Sequence, residues 1–203
     1  MARPSNRARR SVEILDAAIR VIERQGLDDL RLRDVAEEMR LTDNAIRYYY
    51  KTVEDLVAAL AARSDPRFLD DRRQRIMGIE SHAEKLAVLI RDGLPLGVED
   101  TEWRVIWSAV LDAGFRLDLR SDVQGIYHRQ VDLYAEVLRE GKAAGAFELH
   151  GDPLDIARGL MSLEDNLGFR IAARDPEVTR DDAIRIMTTM AEAATGASIP
   201  RSN

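Results

Sequence analysis

Apolar positions recur along most of this chain every three to four residues, the spacing that lines one side of an α-helix. Ile14, Leu15, Ala18, Ile19 and Ile22 form such a stripe from about Arg10 to Gln25, and Gly26 stops it. Short helices are predicted over Leu32 to Met39 and over Asp43 to Tyr50. Thr52 opens a fourth, with Asp55 three residues later as its capping partner and Leu56, Val57 and Leu60 behind it. Asp65-Pro66 then breaks the composition, and the domain boundary is placed there, with residues 1–63 as one unit and 64–203 as the other.

The same spacing continues downstream. Ser81 with Glu84 makes a capping box ahead of Leu86, Leu89 and Ile90, and Thr101 opens a helix carrying Trp103, Ile106, Trp107, Val110 and Leu111. A long helix is expected from about Arg120 to Ala144, ended by Gly145. Asp152-Pro153 reads as an N-cap followed by proline at the first helical position, with the helix running to about Arg174. Thr179 with Asp182 starts the last helix, which reaches about Ala194. No stretch alternates with period two, so the expected fold is all-α.

Composition narrows the function by exclusion. With 45% apolar and 33% charged residues the chain is globular, and no apolar run approaches the 18 or so residues of a membrane span. No apolar stretch follows the N-terminal arginines, so no signal peptide is expected and a cytoplasmic location is. The absence of cysteine removes disulfides, thiolate nucleophiles and cysteine-ligated zinc. His82, His128 and His150 are scattered without metal-ligand spacing, and Gly141 and Gly145 fit a helix end better than a phosphate loop. No catalytic set, cofactor or metal is expected.

Charge changes the picture once it is divided. The net of −6 splits into 12 basic and 11 acidic residues over 1–63, against 18 and 25 over the remainder, and the first ten residues hold four arginines and no acid. Attraction to phosphate is screened within about 8–10 Å at physiological salt, so the local sign decides whether DNA can be approached. Residues 30–56 supply a means. Two short helices joined around Arg40-Leu41-Thr42 make a helix-turn-helix whose second helix suits a major groove. Thr42 can cap that helix, and Ala45 and Ile46 can pack or touch thymine methyls. Arg47, Tyr48 and Tyr49 project toward bases or phosphates, because one helix cannot bury three adjacent tyrosine rings.

These segments, ILDAAIRVIERQGLDDL, RDVAEEM and AIRYYYKTVEDL, resemble the N-terminal domain of TetR-family transcriptional regulators, without gaps over about residues 10–60. The resemblance implies that Ala45, Tyr48 and Tyr49 contact DNA, that Tyr50 is an aromatic core residue, and that Arg31 and Arg33 reach the backbone. The DNA-binding set it suggests is Arg31, Arg33, Thr42, Asp43, Asn44, Ala45, Arg47, Tyr48, Tyr49, Lys51 and Thr52. Three positions depart from the family's pattern. Arg40 stands where a turn glycine is usual, Arg47 where a tyrosine is common, and Val53 where a lysine opens the fourth helix; Lys51 and Arg47 can take over its phosphate contact.

Residues 66–195 resemble, more weakly, the C-terminal domains of the choline-repressor type, in Trp103 to Ala113, in REGKAAGAF and in LEDNLGFRIAARDPEVTRDDA. That resemblance implies a helical domain enclosing an effector pocket, with its last two long helices forming a four-helix bundle in a homodimer. Ile156, Leu160, Leu163, Leu167, Ile184, Met187 and Met190 supply the apolar surface expected there. Glu164 and Asp165 interrupt an apolar helix, which is costly unless they are paired or neutralised. They face a surface arginine or the dimer interface, or else they take a cationic effector, with Trp103, Trp107, Tyr127 and Tyr134 supplying aromatic faces that otherwise read as core. The expected function is a ligand-responsive repressor of a pseudo-palindromic operator on double-stranded DNA. An activator of the same fold, or a helical enzyme or scaffold that does not bind DNA, are the alternatives.

Overall fold

The computed structural model describes residues 6–115 and 121–201, with side chains left aside at 6, 67, 110–115 and 121–124. Arg3 of the basic arm and Arg120 lie outside the described residues, as do the side chains of Val110 and Leu111. Every regular element among the described residues is helical: α1 (Asn6–Gln25), α2 (Leu32–Glu38), α3 (Asp43–Arg47), α4 (Val53–Phe68), α5 (Asp70–Ile76), α6 (His82–Gly93), α7 (Thr101–Phe115), α8 (Ser121–Ala143), α9 (Pro153–Ala172) and α10 (Arg180–Thr195).

Local chemistry starts most of them. Thr52 and Asp55 exchange backbone and side-chain hydrogen bonds in a complete capping box, as do Thr179 and Asp182. The Asp152 carboxylate accepts from the N–H groups of Leu154 and Asp155 ahead of Pro153. The Ser81 hydroxyl accepts from Glu84, the one-sided form of the expected box.

Two elements differ from expectation. α4 continues through Asp65-Pro66 to Phe68, and the break falls at Leu69, whose ψ of −65° follows a φ of −116°. The seven-residue α5 follows immediately; its sequence, DDRRQRI, offers almost no apolar period, because of the two residues it turns inward, Arg72 and Ile76, one is an arginine. α3 also ends earlier than expected, at Arg47, leaving Tyr48 and Tyr49 in a hydrogen-bonded turn.

Two apolar cores result. The first gathers Ile14, Ala18, Val21, Val35, Ile46, Leu56 and Leu60 from α1–α4 and extends to Trp103, Ile106 and Ile126 of α7 and α8. The second is built by α6, α8, α9 and α10 around Leu89, Tyr134, Leu160 and Met187. α4 therefore belongs to both halves of the molecule. It packs on α7 and α8, and Arg63 near its end holds Asp16 of α1 at 2.6 Å. Leu160, Leu167 and Met187, expected on an outer face, are core residues at 8% exposure or less. Ile156, Leu163 and Ile184 are half-buried, and Met190 is exposed.

Candidate nucleic-acid interface and effector cavity

The recognition segment is held from beneath. Ile46 is fully buried, Tyr50 is 9% exposed, and the Tyr50 hydroxyl lies 2.6 Å from Ser11 Oγ of α1. Tyr49 is half-buried, with its ring edge against Tyr48 at 5.2 Å, and Tyr48 projects into solvent at 70% exposure. Of three consecutive rings, one is core, one is half-buried and one is exposed. The Thr42 hydroxyl accepts from Ala45 N–H at 3.3 Å, so its first task is capping α3. Thr52 is likewise committed to the cap of α4.

The cations gather beside α3. Arg31, Arg33, Asp43, Arg47, Lys51 and Thr52 line one hollow of about 400 Å³, with Leu32 and Val53 as its apolar floor. Arg47 donates to Asp43 at 2.6 Å and to the Lys51 carbonyl at 3.2 Å, which fixes the guanidinium against α3. Arg31, Arg33 and Lys51 are exposed, as is Asn44 on the outer side of α3, while Ala45 is half-buried. Six of the residues proposed from sequence for DNA contact, Arg31, Arg33, Asp43, Arg47, Lys51 and Thr52, thus line one hollow, while Thr42, Asn44, Ala45, Tyr48 and Tyr49 lie outside it. Beneath it, Arg20 and Arg24 of α1 bind Glu38 of α2 at 2.8 and 3.0 Å, and Arg20 foremost holds that carboxyl below its ordinary range.

A cavity of about 350 Å³ opens between α4, α7, α8 and α9. Phe68 closes it at the end of α4. Trp103 and Trp107 stack at 5.9 Å, and Trp107 stacks on Phe169 at 5.0 Å. Trp103 is pinned three ways: its indole N–H donates to the Gly93 carbonyl at 3.2 Å, its backbone N–H to buried Asp100 at 3.2 Å, and its ring lies where a side chain at Gly168 would be. Tyr127, Gln130, Ser162 and Asn166 supply the polar groups of the wall.

The two acids on α9 have opposite fates. Glu164 is 1% exposed and bound by Arg72 at 3.0 and 3.3 Å, while the Tyr134 hydroxyl donates to it at 2.6 Å. Its carboxyl fills the space a side chain at Gly93 would need. Burial alone would lower the Arg72 pKa, but the Glu164 carboxylate keeps it above its ordinary value; burial, then Glu164, pushes Tyr134 well up. Asp165 has no cation within ion-pair distance among the described residues. Burial, with Glu164 adding to it, raises its carboxyl to about 7. Burial and Asp165 together also raise Tyr127. Of the six effector residues proposed from sequence, Trp103, Trp107, Tyr127, Glu164 and Asp165 line the cavity. Tyr134 does not; it stands behind Glu164 as a structural donor. Sequence reasoning passed over Arg72, Phe68 and Phe169, of which Phe169 carried a signal in its position on the α9 stripe one turn beyond Asp165.

Comparison with known proteins agrees with this layout. Residues 14–60 match the model of the bacterial regulatory proteins of the tetR family, and residues 82–196 match that of the BetI-type transcriptional repressor C-terminal domain. The fatty acid metabolism regulator protein of Bacillus subtilis (strain 168) is 25% identical over 134 residues, which are 66% of this chain and 69% of that protein. A solved structure described as a transcriptional regulator of Saccharomonospora viridis in complex with choline superposes with a TM-score of 0.79 at 24% identity, over 91% of this chain and 96% of that one. The transcriptional regulator FadR from Bacillus subtilis, in complex with stearoyl-CoA, gives 0.71 at 20% identity, over 95% and 99%. The second family model alone spans more than half of the chain, and the first adds the helix-turn-helix whose exposed face has just been described. This chain belongs to the TetR family of transcriptional regulators, with a DNA-binding N-terminal domain and a BetI-type C-terminal domain.

Proposed function

We propose that the chain is a homodimeric repressor, released from a pseudo-palindromic operator when a small organic cation enters the cavity between α4, α7, α8 and α9. The observation that carries this reading is Asp165, a half-buried carboxylate without a counter-cation among the described residues, beside the stacked rings of Trp103, Trp107 and Phe169. An organic cation satisfies both the carboxylate and the ring faces. The same cavity is a poor host for an acyl-CoA, whose phosphates would meet that carboxylate and whose bulk exceeds about 350 Å³. Choline in the Saccharomonospora viridis relative supports the cationic class.

Coupling follows from α4, which begins beside the recognition segment at Val53 and ends at the cavity with Phe68. An effector that fits better when Phe68 is displaced favours the conformation in which α3 no longer matches operator spacing; only such differential affinity can shift the balance. Met190, exposed on α10, and half-buried Leu163 and Ile184 offer apolar surface to a second copy through α9 and α10. Residues 1–63 would read DNA and 64–203 would sense and dimerise, the protein working by binding alone, on the chromosome in the cytoplasm.

The test pairs a gel shift, on the region upstream of the chain's own gene at stated salt, with thermal-shift screening of choline and polyamines against acyl-CoA esters. Stabilisation and release of the duplex by cations are expected. Stabilisation by acyl-CoA alone overturns the cationic effector, and raised reporter transcription from the bound operator turns repressor into activator.

A further inference from the structure

A second hollow flanks the recognition segment, on the side away from Arg31 and Lys51. It holds about 320 Å³ and is lined by Arg7, Ala8 and Ser11 of α1 with Tyr49 and Tyr50. It shares no residue with the hollow around Arg47: Asp43 and Arg47 border that one, Tyr49 and Tyr50 border this one. The recognition segment therefore has a cationic recess on each flank. No acidic residue lines the second recess.

Arg7 is the exposed cation of this recess, and it makes no ion pair among the described residues. Its neighbours are committed elsewhere, Arg10 to Glu13 at 2.8 Å and Arg9 to the same carboxylate at 3.7 Å. The Arg7 guanidinium lies 5.7 Å from the ring centroid of Tyr48, the most exposed of the three tyrosines, and Tyr48 in turn meets the edge of Tyr49. A guanidinium resting on a ring face keeps its N–H edge available to an anion. Ser11 fixes the floor through its 2.6 Å hydrogen bond with Tyr50, so α1 and the recognition segment hold a set position.

We propose that Arg7, with Ser11 and Tyr49, forms a second phosphate seat, so that each recognition segment is gripped by DNA backbone on both flanks and Tyr48 is presented to the base edges between them. This rests on the DNA-binding reading above and assigns α1 a contact role. A lone seat around Arg47 and Lys51 leaves α3 free to pivot about one strand; two seats across the groove fix its depth and tilt, and thereby what Tyr48 and Asn44 can reach. The seat itself reads no sequence.

The test uses the full chain and a duplex that the wild-type protein selects from a random pool, with affinity measured between 50 and 300 mM salt. Arg7→Ala should weaken binding about tenfold at low salt and lower the slope of log affinity against log salt by about 0.9 per protomer, with the selected sequence unchanged. Arg7→Lys should restore most of the slope. Arg10→Ala removes the same charge from a residue already paired with Glu13 and should leave the slope nearly unchanged. Arg7 is exposed and makes no ion pair among the described residues, so melting of the variants should match wild type. An Arg7→Ala slope equal to wild type, or to that of Arg10→Ala, overturns the seat. A changed sequence preference instead makes Arg7 a base reader and overturns it too. Failure of the wild-type protein to select any duplex removes the DNA-binding reading itself.

Discussion

Arg72 of α5 lays its guanidinium on the carboxylate of Glu164 of α9, Nη2 at 3.0 Å from Oε2 and Nη1 at 3.3 Å from Oε1, with neither side chain more than 2% exposed. The same guanidinium donates to the Leu89 carbonyl at 2.6 Å and lies 5.1 Å from the Tyr134 ring centroid, joining α5, α6, α8 and α9. Removing one partner strands the other's charge. Arg72→Met or Glu164→Leu should each cost about 3–5 kcal/mol in urea unfolding, whereas the double variant should cost much less than the two together. Additive losses would mean that the pair is not coupled.

Asp165 gives the molecule a pH dependence whose sign follows from its raised carboxyl. Its carboxyl titrates at about 7 when folded, against an ordinary 3.8, so the native state holds this proton more tightly than the unfolded chain does. Its contribution to stability therefore falls as pH rises from about 4 to 7 and is flat above. Asp165→Asn should stabilise the empty protein at pH 8, on the order of 1–2 kcal/mol after allowing for partial solvation, and hardly at all at pH 4. A cationic effector needs the ionised form, so its affinity should rise up to tenfold per unit between pH 5 and 7, level off above, and be largely lost in Asp165→Asn. Titration calorimetry across this range measures both.

What the sequence disclosed depended on whether the inward-facing residue was apolar. Helices opened by Thr52, Ser81, Asp152 and Thr179 were legible because cap and stripe agree. α5 was not, because one of its two core-facing residues is an arginine whose partner is 92 positions away, which leaves Ile76 as a lone apolar position. Pro66 read as a terminator, yet α4 runs on to Phe68, where tertiary packing on α7 and α8 outweighs the lost hydrogen bond. Glu164 and Asp165 were conspicuous as acids on an apolar helix. That one would be cancelled by Arg72 and the other left uncancelled depends on a contact the sequence does not encode locally. Tyr134 looked like Tyr127 in the sequence, and only packing separates the buried donor from the wall of the cavity.

Gly168 is where α9 lets Trp103 lie against its backbone. A methyl group there would overlap the indole, and Trp103 cannot retreat while its N–H is held by the Gly93 carbonyl and its backbone by Asp100. Gly168→Ala should cost about 1–3 kcal/mol through overpacking and disturb the stack on Trp107, giving changed tryptophan fluorescence and weakened effector binding with DNA affinity retained. Unchanged fluorescence would show that the ring has room to move.

Arg40 completes the turn between α2 and α3 in the left-handed region, at φ 56°. Its N–H donates to Glu37 and that of Leu41 to Ala36, the paired bonds of a helix end that ordinarily takes glycine at this position. An arginine there carries a steric cost of about 1 kcal/mol or more, part of which glycine would return to the unfolded chain as entropy. Arg174, at φ 59° after α9, repeats the arrangement, with N–H groups of Arg174 and Asp175 donating to Ile171 and Arg170. Arg40→Gly and Arg174→Gly should therefore each stabilise the fold by roughly 0.5–1 kcal/mol. Arg174→Gly also gives up an exposed ion pair with Glu99, which is worth little. Arg40 differs from Arg174 in standing, exposed, in the turn that leads into α3. A gel shift tests whether it also contacts phosphate. If Arg40→Gly melts higher and binds its duplex as before, the residue is only a strained turn; if it melts higher and binds more weakly at low salt, strain is retained there in exchange for a phosphate contact. A lower melting temperature for both variants would show that neither backbone is strained.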